Sequence, residues 1–356
     1  MCEYYFSNPR RGSRIDLHLH TTNSDGELSP YDLVCLANKR NLSVISICDH
    51  EYFTITQVQK YNGTLIIPGI ELSAQYTGPD GRKTEVHILG LFPDNVTDPS
   101  SFTEITNRLQ EENRAYTLAM LEKLKLKSGI ELGIEDVVAT AKRSRIGRYE
   151  IALRLLQTGL VPDLNSAFEH LSQSYIPKSH YIEPPQLETV VKLSLANGGI
   201  PVLAHPLSYV LSNEELEQLI SVFRQTALER PTESNSFVLA GLEVYYQGYS
   251  EEQISHLKRL QNRYGLLASA GSDRHGKPQP FCCCCSGFRI FENTLLALAS
   301  FKARKDGIRK LVYSSKDPMD RYREYPDNVQ QDALLFTDVP AKEPLIHPAA
   351  DEVFPV

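Results

Sequence analysis

The densest chemistry in this chain lies in Asp16-Leu17-His18-Leu19-His20-Thr21-Thr22-Asn23-Ser24-Asp25-Gly26. His18 and His20 stand two residues apart in an alternating apolar and polar stretch, so on a strand both imidazoles project from one face and can reach one metal ion. Asp25 follows in a turn marked by Gly26, within reach of a neighbouring ion. A lone His-x-His pair carries little information. Here Asp49-His50, Glu71, His87, His205 and Asp273-x-His275 each fall in or at the end of a short apolar run. Six histidines and at least three carboxylates gathered at one place would repel or lack partners unless cations held them together. Mixed imidazole and carboxylate ligands suit Mn, Fe or Zn.

Such a cluster needs a scaffold that brings many strand ends to one mouth. Ile15, Leu17 and Leu19 alternate with polar residues, which predicts a half-buried strand, and Ser29-Pro30 opens a helix through about Arg40. Further short strands are expected at Val44–Cys48, Leu65–Ile70, Val86–Leu91, Ile200–Ala204, Gly241–Tyr246 and Leu266–Ala270. Helical stretches between most of them favour parallel βα units over an antiparallel sandwich, and ligands at strand ends match the catalytic face of an α/β barrel. The rhythm breaks between 99 and 179, where Phe102–Leu126 and Ile134–Leu156 read as helices of an insertion. The expected organisation is a lead-in (1–13), a first barrel part (14–98), a helical insertion (99–179), a second barrel part (180–315) with a helix near Leu295–Arg304 and a strand at Leu311–Tyr313, and a tail (316–356).

The chain has 356 residues, with 37 Lys+Arg against 44 Asp+Glu and a formal charge of −7. That balance argues against a face for extended duplex nucleic acid, whose non-specific binding needs dense Lys and Arg. Seven cysteines, four of them in the run Cys282 to Cys285, do not form a secreted disulfide framework. With no secretory leader pattern and no apolar stretch long enough to span a bilayer, a cytoplasmic protein with no membrane partner is expected.

The ordered motifs His-x-His with Asp25, Asp49-His50, Pro68-Gly-Ile-Glu-Leu-Ser73, His87-Ile-Leu-Gly90, Ala204-His-Pro206, Gly241-Leu-Glu-Val-Tyr-Tyr246 and Gly271-Ser-Asp-Arg-His-Gly276 resemble the PHP (polymerase and histidinol phosphatase) superfamily. Within it the chain is similar to the branch of nucleoside 3′,5′-bisphosphate phosphatases and RNase AM-type exoribonucleases. The resemblance implies an α/β fold, a distorted (β/α)7 barrel with a helical insertion, carrying three divalent metal ions. It would place His18, His20, Glu71 and Asp273 on a first ion, Glu71, His87 and His205 on a second, and Asp25, His50 and His275 on a third. His18, His20, Glu71, His205 and Asp273 would carry the catalysis, a phosphoester hydrolysis by metal-activated hydroxide. Three divalent ions would turn the three ligand carboxylates' −3 into −3 + 6 = +3, a local attraction for phosphate that overall composition does not register.

The expected substrate is small and phosphorylated, a nucleotide or short oligonucleotide end, with Arg145 and Arg148 gripping phosphate and Lys178 a further contact. Histidinol phosphate is the alternative substrate, disfavoured by the helical insertion. A non-catalytic metal-loaded module of a nucleic-acid complex is the alternative of a different kind, disfavoured by the complete ligand set. The branch commonly reads Gly-Arg-Pro-His where this chain has Gly147-Arg148-Tyr149-Glu150. A Glu150 carboxylate facing the pocket would disfavour a second phosphate. Asp49 is expected either to orient a neighbouring histidine or to cap a helix.

Overall fold

The computed structural model describes residues 14–141, 146–228, 240–276 and Phe281. Each expected strand in this range forms: β1 (Arg14–Leu19), β2 (Leu42–Ile47), β4 (Thr64–Thr77), β5 (Lys83–Leu91), β6 (Ile200–Leu203), β7 (Gly241–Tyr246) and β8 (Leu267–Gly271), with a short β3 (Gln59–Tyr61) beside β4. They make one sheet in the order β1-β2-β4-β5-β6-β7-β8. A parallel bridge between Leu19 and Arg274 joins its two edges, with Asp273 N donating to the His18 carbonyl at 2.9 Å and His20 N to the Arg274 carbonyl at 3.1 Å. The sheet is therefore a nearly closed barrel whose seam runs between β1 and the residues following β8.

The pairing is not parallel throughout. β1–β2–β4 and β6–β7–β8 pair parallel, but β4–β5 and β5–β6 are antiparallel. β4 continues well past Ile70, to Thr77, and the turn from Gly78 to Arg82 sends the chain straight back along it. No helix can fit in so short a connection, and a parallel neighbour needs a crossover of a dozen or more residues.

Helices α1 (Pro30–Lys39), α6 (Leu187–Ala196), α7 (Asn213–Leu228) and α8 (Glu251–Tyr264) belong to the βα rhythm. Ser29 caps α1 by accepting from Asp32 N, with Pro30 in the first turn. Val190, Val191, Leu219, Phe223 and Leu257 on these outer helices join one apolar core with the strand residues Ile70, Leu72, Ile88, Val202 and Leu242.

The helical segment between β5 and β6 has a separate apolar core. Helices α2 (Thr103–Ser128), α3 (Ile134–Ala141), α4 (Arg148–Gln157) and α5 (Leu164–Gln173) enclose Met120, Leu124, Val137, Ile151, Leu155 and Leu171. The single helix expected over 134–156 is two helices. Gly147, with φ −137° and ψ −164°, is extended where it caps α4. Among the described residues no helix is long and apolar enough to cross a membrane. The lead-in, Arg145, the run Cys282 to Cys285 and the tail lie outside the described residues, as do the expected helix at 295–304 and strand at 311–313.

Candidate metal centre

All nine residues expected to hold metal lie at one end of the barrel. Period-2 alternation puts His18 and His20 on the inner face of the β1 end, both almost fully buried. Glu71 and Ser73 share a face of β4. Ser73 pairs with His87 on β5, so the antiparallel register brings His87 to Glu71. A parallel bridge between His50 and Glu71 supplies His50. His205 and Asp273 follow β6 and β8 with left-handed backbones, φ 25° and 51°. Non-glycine residues held there cost on the order of 1–3 kcal/mol each, a strain that concentrates at functional sites.

Glu71, fully buried, is the hub. Its Oε2 lies 3.3 Å from His18 Nε2, 3.2 Å from His20 Nε2 and 3.3 Å from His50 Nδ1; its Oε1 lies 2.8 Å from His87 Nδ1 and 3.1 Å from His205 Nε2. Asp273 Oδ1 is 3.0 Å from His20 Nε2 and 3.4 Å from His18 Nε2. Asp25 forms a second focus, 3.5 Å from His50 Nε2 and 3.2 Å from His275 Nε2. Three groups consequently present ligand atoms within 4.8 Å of one another: His18, His20, Glu71 and Asp273; His20, Asp25, His50 and His275; and His50, Glu71 and His87. His20 thus joins the Asp25 group as well as its own, and His50 faces both Asp25 and Glu71.

His18 Nε2, His20 Nε2, Glu71 Oε2 and Asp273 Oδ1 are buried with no hydrogen-bond partner among the described residues. Buried polar atoms are normally paired. Four converging orphans, of donor types that bind divalent metals, fit a cation centre. The charges agree. Burial alone would lower the His20 imidazole, but Asp273 and Glu71 outweigh it and lift it to about 10. Burial alone would raise Glu71, yet His50, His18 and His87 hold it well below the usual carboxylate range. Without metal, protons take the place of cations.

The supporting shell was the part least visible in the sequence. Glu243, fully buried within the apolar run of β7, sets its Oε1 3.1 Å from His18 Nδ1 and accepts from His205 N at 2.6 Å through Oε2. Its one signal was an acidic residue amid Gly-Leu-x-Val-Tyr-Tyr. Tyr246 donates to Asp273 Oδ2 at 3.1 Å, and Ser208 Oγ meets His205 Nδ1 at 2.8 Å. Among the described residues, Asp49 neither caps a helix nor bonds a ligand histidine. It accepts from Thr21 N (2.7 Å), Thr21 Oγ1 (2.6 Å), Ser24 Oγ (2.6 Å) and Thr54 Oγ1, which ties down the loop that carries Asp25.

Of the expected substrate contacts, Arg145 lies outside the described residues. Arg148 begins α4, half-buried, near Tyr116, whose hydroxyl burial raises and the Arg148 charge partly restores. Lys178 stands 2.6 Å from Glu85 Oε1. Glu150 does not act as a pocket carboxylate that repels phosphate: it is buried, and its Oε2 accepts from Gly147 N at 2.8 Å, closing the start of α4.

No protein-family profile matches the chain. It is 30% identical over 271 residues to a 5′-3′ exoribonuclease of Haemophilus influenzae, covering 74% of this chain and 90% of that protein. A 3′,5′-nucleoside bisphosphate phosphatase of Chromobacterium violaceum is 26% identical, over 74% of this chain and 87% of the relative. Among solved structures, a Bifidobacterium adolescentis protein assigned as a metal-dependent phosphoesterase superposes with a TM-score of 0.55 at 25% identity, over 76% of this chain and 91% of that one. With the barrel, the histidine and carboxylate mouth and this coverage, the chain belongs to the PHP-type phosphoesterases.

Proposed function

We propose that this protein hydrolyses phosphate esters of nucleotide-like substrates at a centre of three divalent ions held by His18, His20, Asp25, His50, Glu71, His87, His205, Asp273 and His275. The four orphaned atoms of His18, His20, Glu71 and Asp273 carry the reading, since one divalent cation among them would satisfy all four. Divalent ions in such a site supply an acidified water and polarise phosphoryl oxygens. The protein's own residues arrange everything else. Glu71, reached by five imidazoles, fixes the spacing between the group on the β1–β8 seam side and the group on the side of the β4–β5 hairpin. Glu243 fixes the His18 ring by its Nδ1, leaving Nε2 turned inward. The barrel walls exclude bulk water from His18, His20 and Glu71, which strengthens their hold on charge.

A phosphate group is the shared chemistry of the relatives' substrates, an RNA 5′ end and a nucleoside bisphosphate. Arg148, with Arg145 nearby in sequence, offers a bidentate phosphate contact from the insertion. With Glu150 committed to Gly147, no carboxylate at that position opposes a second phosphate.

The test is a phosphate-release screen with added Mn2+ over mononucleotides, bisphosphonucleotides, 5′-phosphorylated short RNA and histidinol phosphate. Preferential turnover of a nucleotide or RNA substrate is expected. Turnover of histidinol phosphate alone, or of none, would overturn the reading.

A further inference from the structure

The two ends of the insertion grip the same corner of the barrel mouth. Near its start, Gln110 on α2 donates through Nε2 to the Glu51 carbonyl at 2.9 Å. Glu51 adjoins His50 and has a left-handed backbone, φ 50°, with its amide donating to the Glu71 carbonyl at 2.9 Å. Its carboxylate accepts from Ser73 Oγ at 3.4 Å, and Ser73 is the residue that pairs with His87 across the sheet. Near the insertion's end, Lys178 Nζ sits 2.6 Å from Glu85 Oε1, and that same oxygen lies 3.7 Å from His87 Nε2. His87 therefore turns Nδ1 to Glu71 and faces Nε2 toward Glu85 at ion-pair distance, where an outer carboxylate biases a ligand imidazole's orientation by charge. Lys178 in turn fixes Glu85.

We propose that the insertion is a two-point latch on the hairpin side of the metal centre, with Gln110, Glu85 and Lys178 as positioning residues for His50 and His87. Lys178 on this account serves the metal ligands, and its ammonium is engaged by a carboxylate instead of substrate phosphate. The latch rests on the phosphoesterase reading above, because it needs ions to position. Its consequence is selective: losing it weakens the ion shared by His50, Glu71 and His87, while the ion of His18, His20, Glu71 and Asp273, which shares Glu71 but is braced from within the barrel by Glu243 and Tyr246, keeps its affinity.

The experiment uses the full chain, stripped of metal and titrated with Mn2+, with bound ions counted per chain and hydrolysis of p-nitrophenyl phosphate followed in parallel. Lys178→Met and Glu85→Gln should each weaken one Mn2+ by about 10–100-fold, the usual cost of losing an outer-shell partner. The remaining Mn2+ should bind as in wild type, kcat should fall and recover with excess Mn2+, and KM should move less than twofold. Lys178→Arg should retain wild-type Mn2+ binding. Gln110→Ala, on an exposed position of α2, should weaken the same ion and serves as the reading if circular dichroism shows that Lys178→Met does not fold. Unchanged Mn2+ affinities in these variants, or a raised KM with unchanged Mn2+ in Lys178→Met, would overturn the latch alone. A wild-type protein that holds no Mn2+ would overturn the phosphoesterase reading and the latch with it.

Discussion

The seam side and the hairpin side of the barrel mouth hold the same kinds of side chain by different means. On the seam side, His18 and His20 from β1 meet Asp273 beyond β8 and are braced by groups of the barrel itself: Glu243 on His18, Tyr246 on Asp273, and Asp16 accepting from Ser272 N at 2.9 Å. On the hairpin side, Glu71 and His87 are brought together by strand register, and the contacts from the helical segment reach Glu51, next to His50, and Glu85, which faces His87. The seam side is thus built from parts that every turn of the barrel must supply. The hairpin side depends on a segment with its own apolar core.

The largest expected effect lies at the seam. Asp273→Ala or His20→Ala should lower kcat/KM at least a thousandfold, about 4 kcal/mol of transition-state stabilisation, with the circular dichroism spectrum retained. Near wild-type turnover in either would break the centre as described. Next comes Glu243→Gln, which keeps the shape but removes the charge facing His18 Nδ1 and the His205 amide. Mn2+ affinity on the seam side should fall about 10–100-fold, in the converse pattern to the latch variants. Equal losses on both sides would erase the distinction between them.

Stability against pH gives a smaller and broader effect. Carboxylate neighbours outweigh burial and lift His20 and His87 to about 10 and about 9 in the metal-free fold, above the ordinary 6.5. Their contribution is full below pH 6.5 and is lost as pH rises through 9–10. Glu71, held below its ordinary 4.5, contributes above that pH and loses its contribution as pH falls. Metal-free protein should accordingly melt highest between about pH 4.5 and 6.5 and lower at pH 9. Bound metal displaces those protons, so the difference in Tm between Mn2+-loaded and metal-free protein should widen from pH 6.5 to 9. A narrowing difference would show that these imidazoles are not ligands. The smallest effect is expected away from both sides: Arg148→Ala should raise KM for phosphorylated substrates roughly tenfold, about 1.4 kcal/mol, with Mn2+ binding intact. Unchanged KM would return Arg148 to a helix-surface role.

What the sequence made legible follows from how locally each feature is encoded. His18 and His20 announce themselves because a two-residue period is enough to put both on one strand face, and most of the other ligands stand at the ends of apolar runs that could only be buried strands. Pairing direction is not local. Val86–Leu91 looks the same whether its neighbour is parallel or antiparallel, and only the extension of β4 to Thr77 decides it. Glu243 carries no local signal, because a buried acid is recognisable only by its partner, and His18 is far away in the chain. The break between α3 and α4 is not legible locally because the apolar spacing continues across it, while Gly147 and Glu150 cap a new start.

The seam also sets an order of events during synthesis. Asp16 and Ser272, which meet across it, are 256 residues apart, so at roughly 5–20 residues per second β1 is complete some 13–50 s before its last neighbour exists. The hairpin, whose two strands follow one another, has no such wait. Until β8 arrives, β1 has a partner only in β2 and shows a bare edge, the sort of surface that recruits a stranger's strand. An ion captured early by His18 and His20 would lack Asp273 as well. The half of the site most firmly braced in the finished molecule is thus the last to be assembled, and crowding or premature release from the ribosome should damage it first.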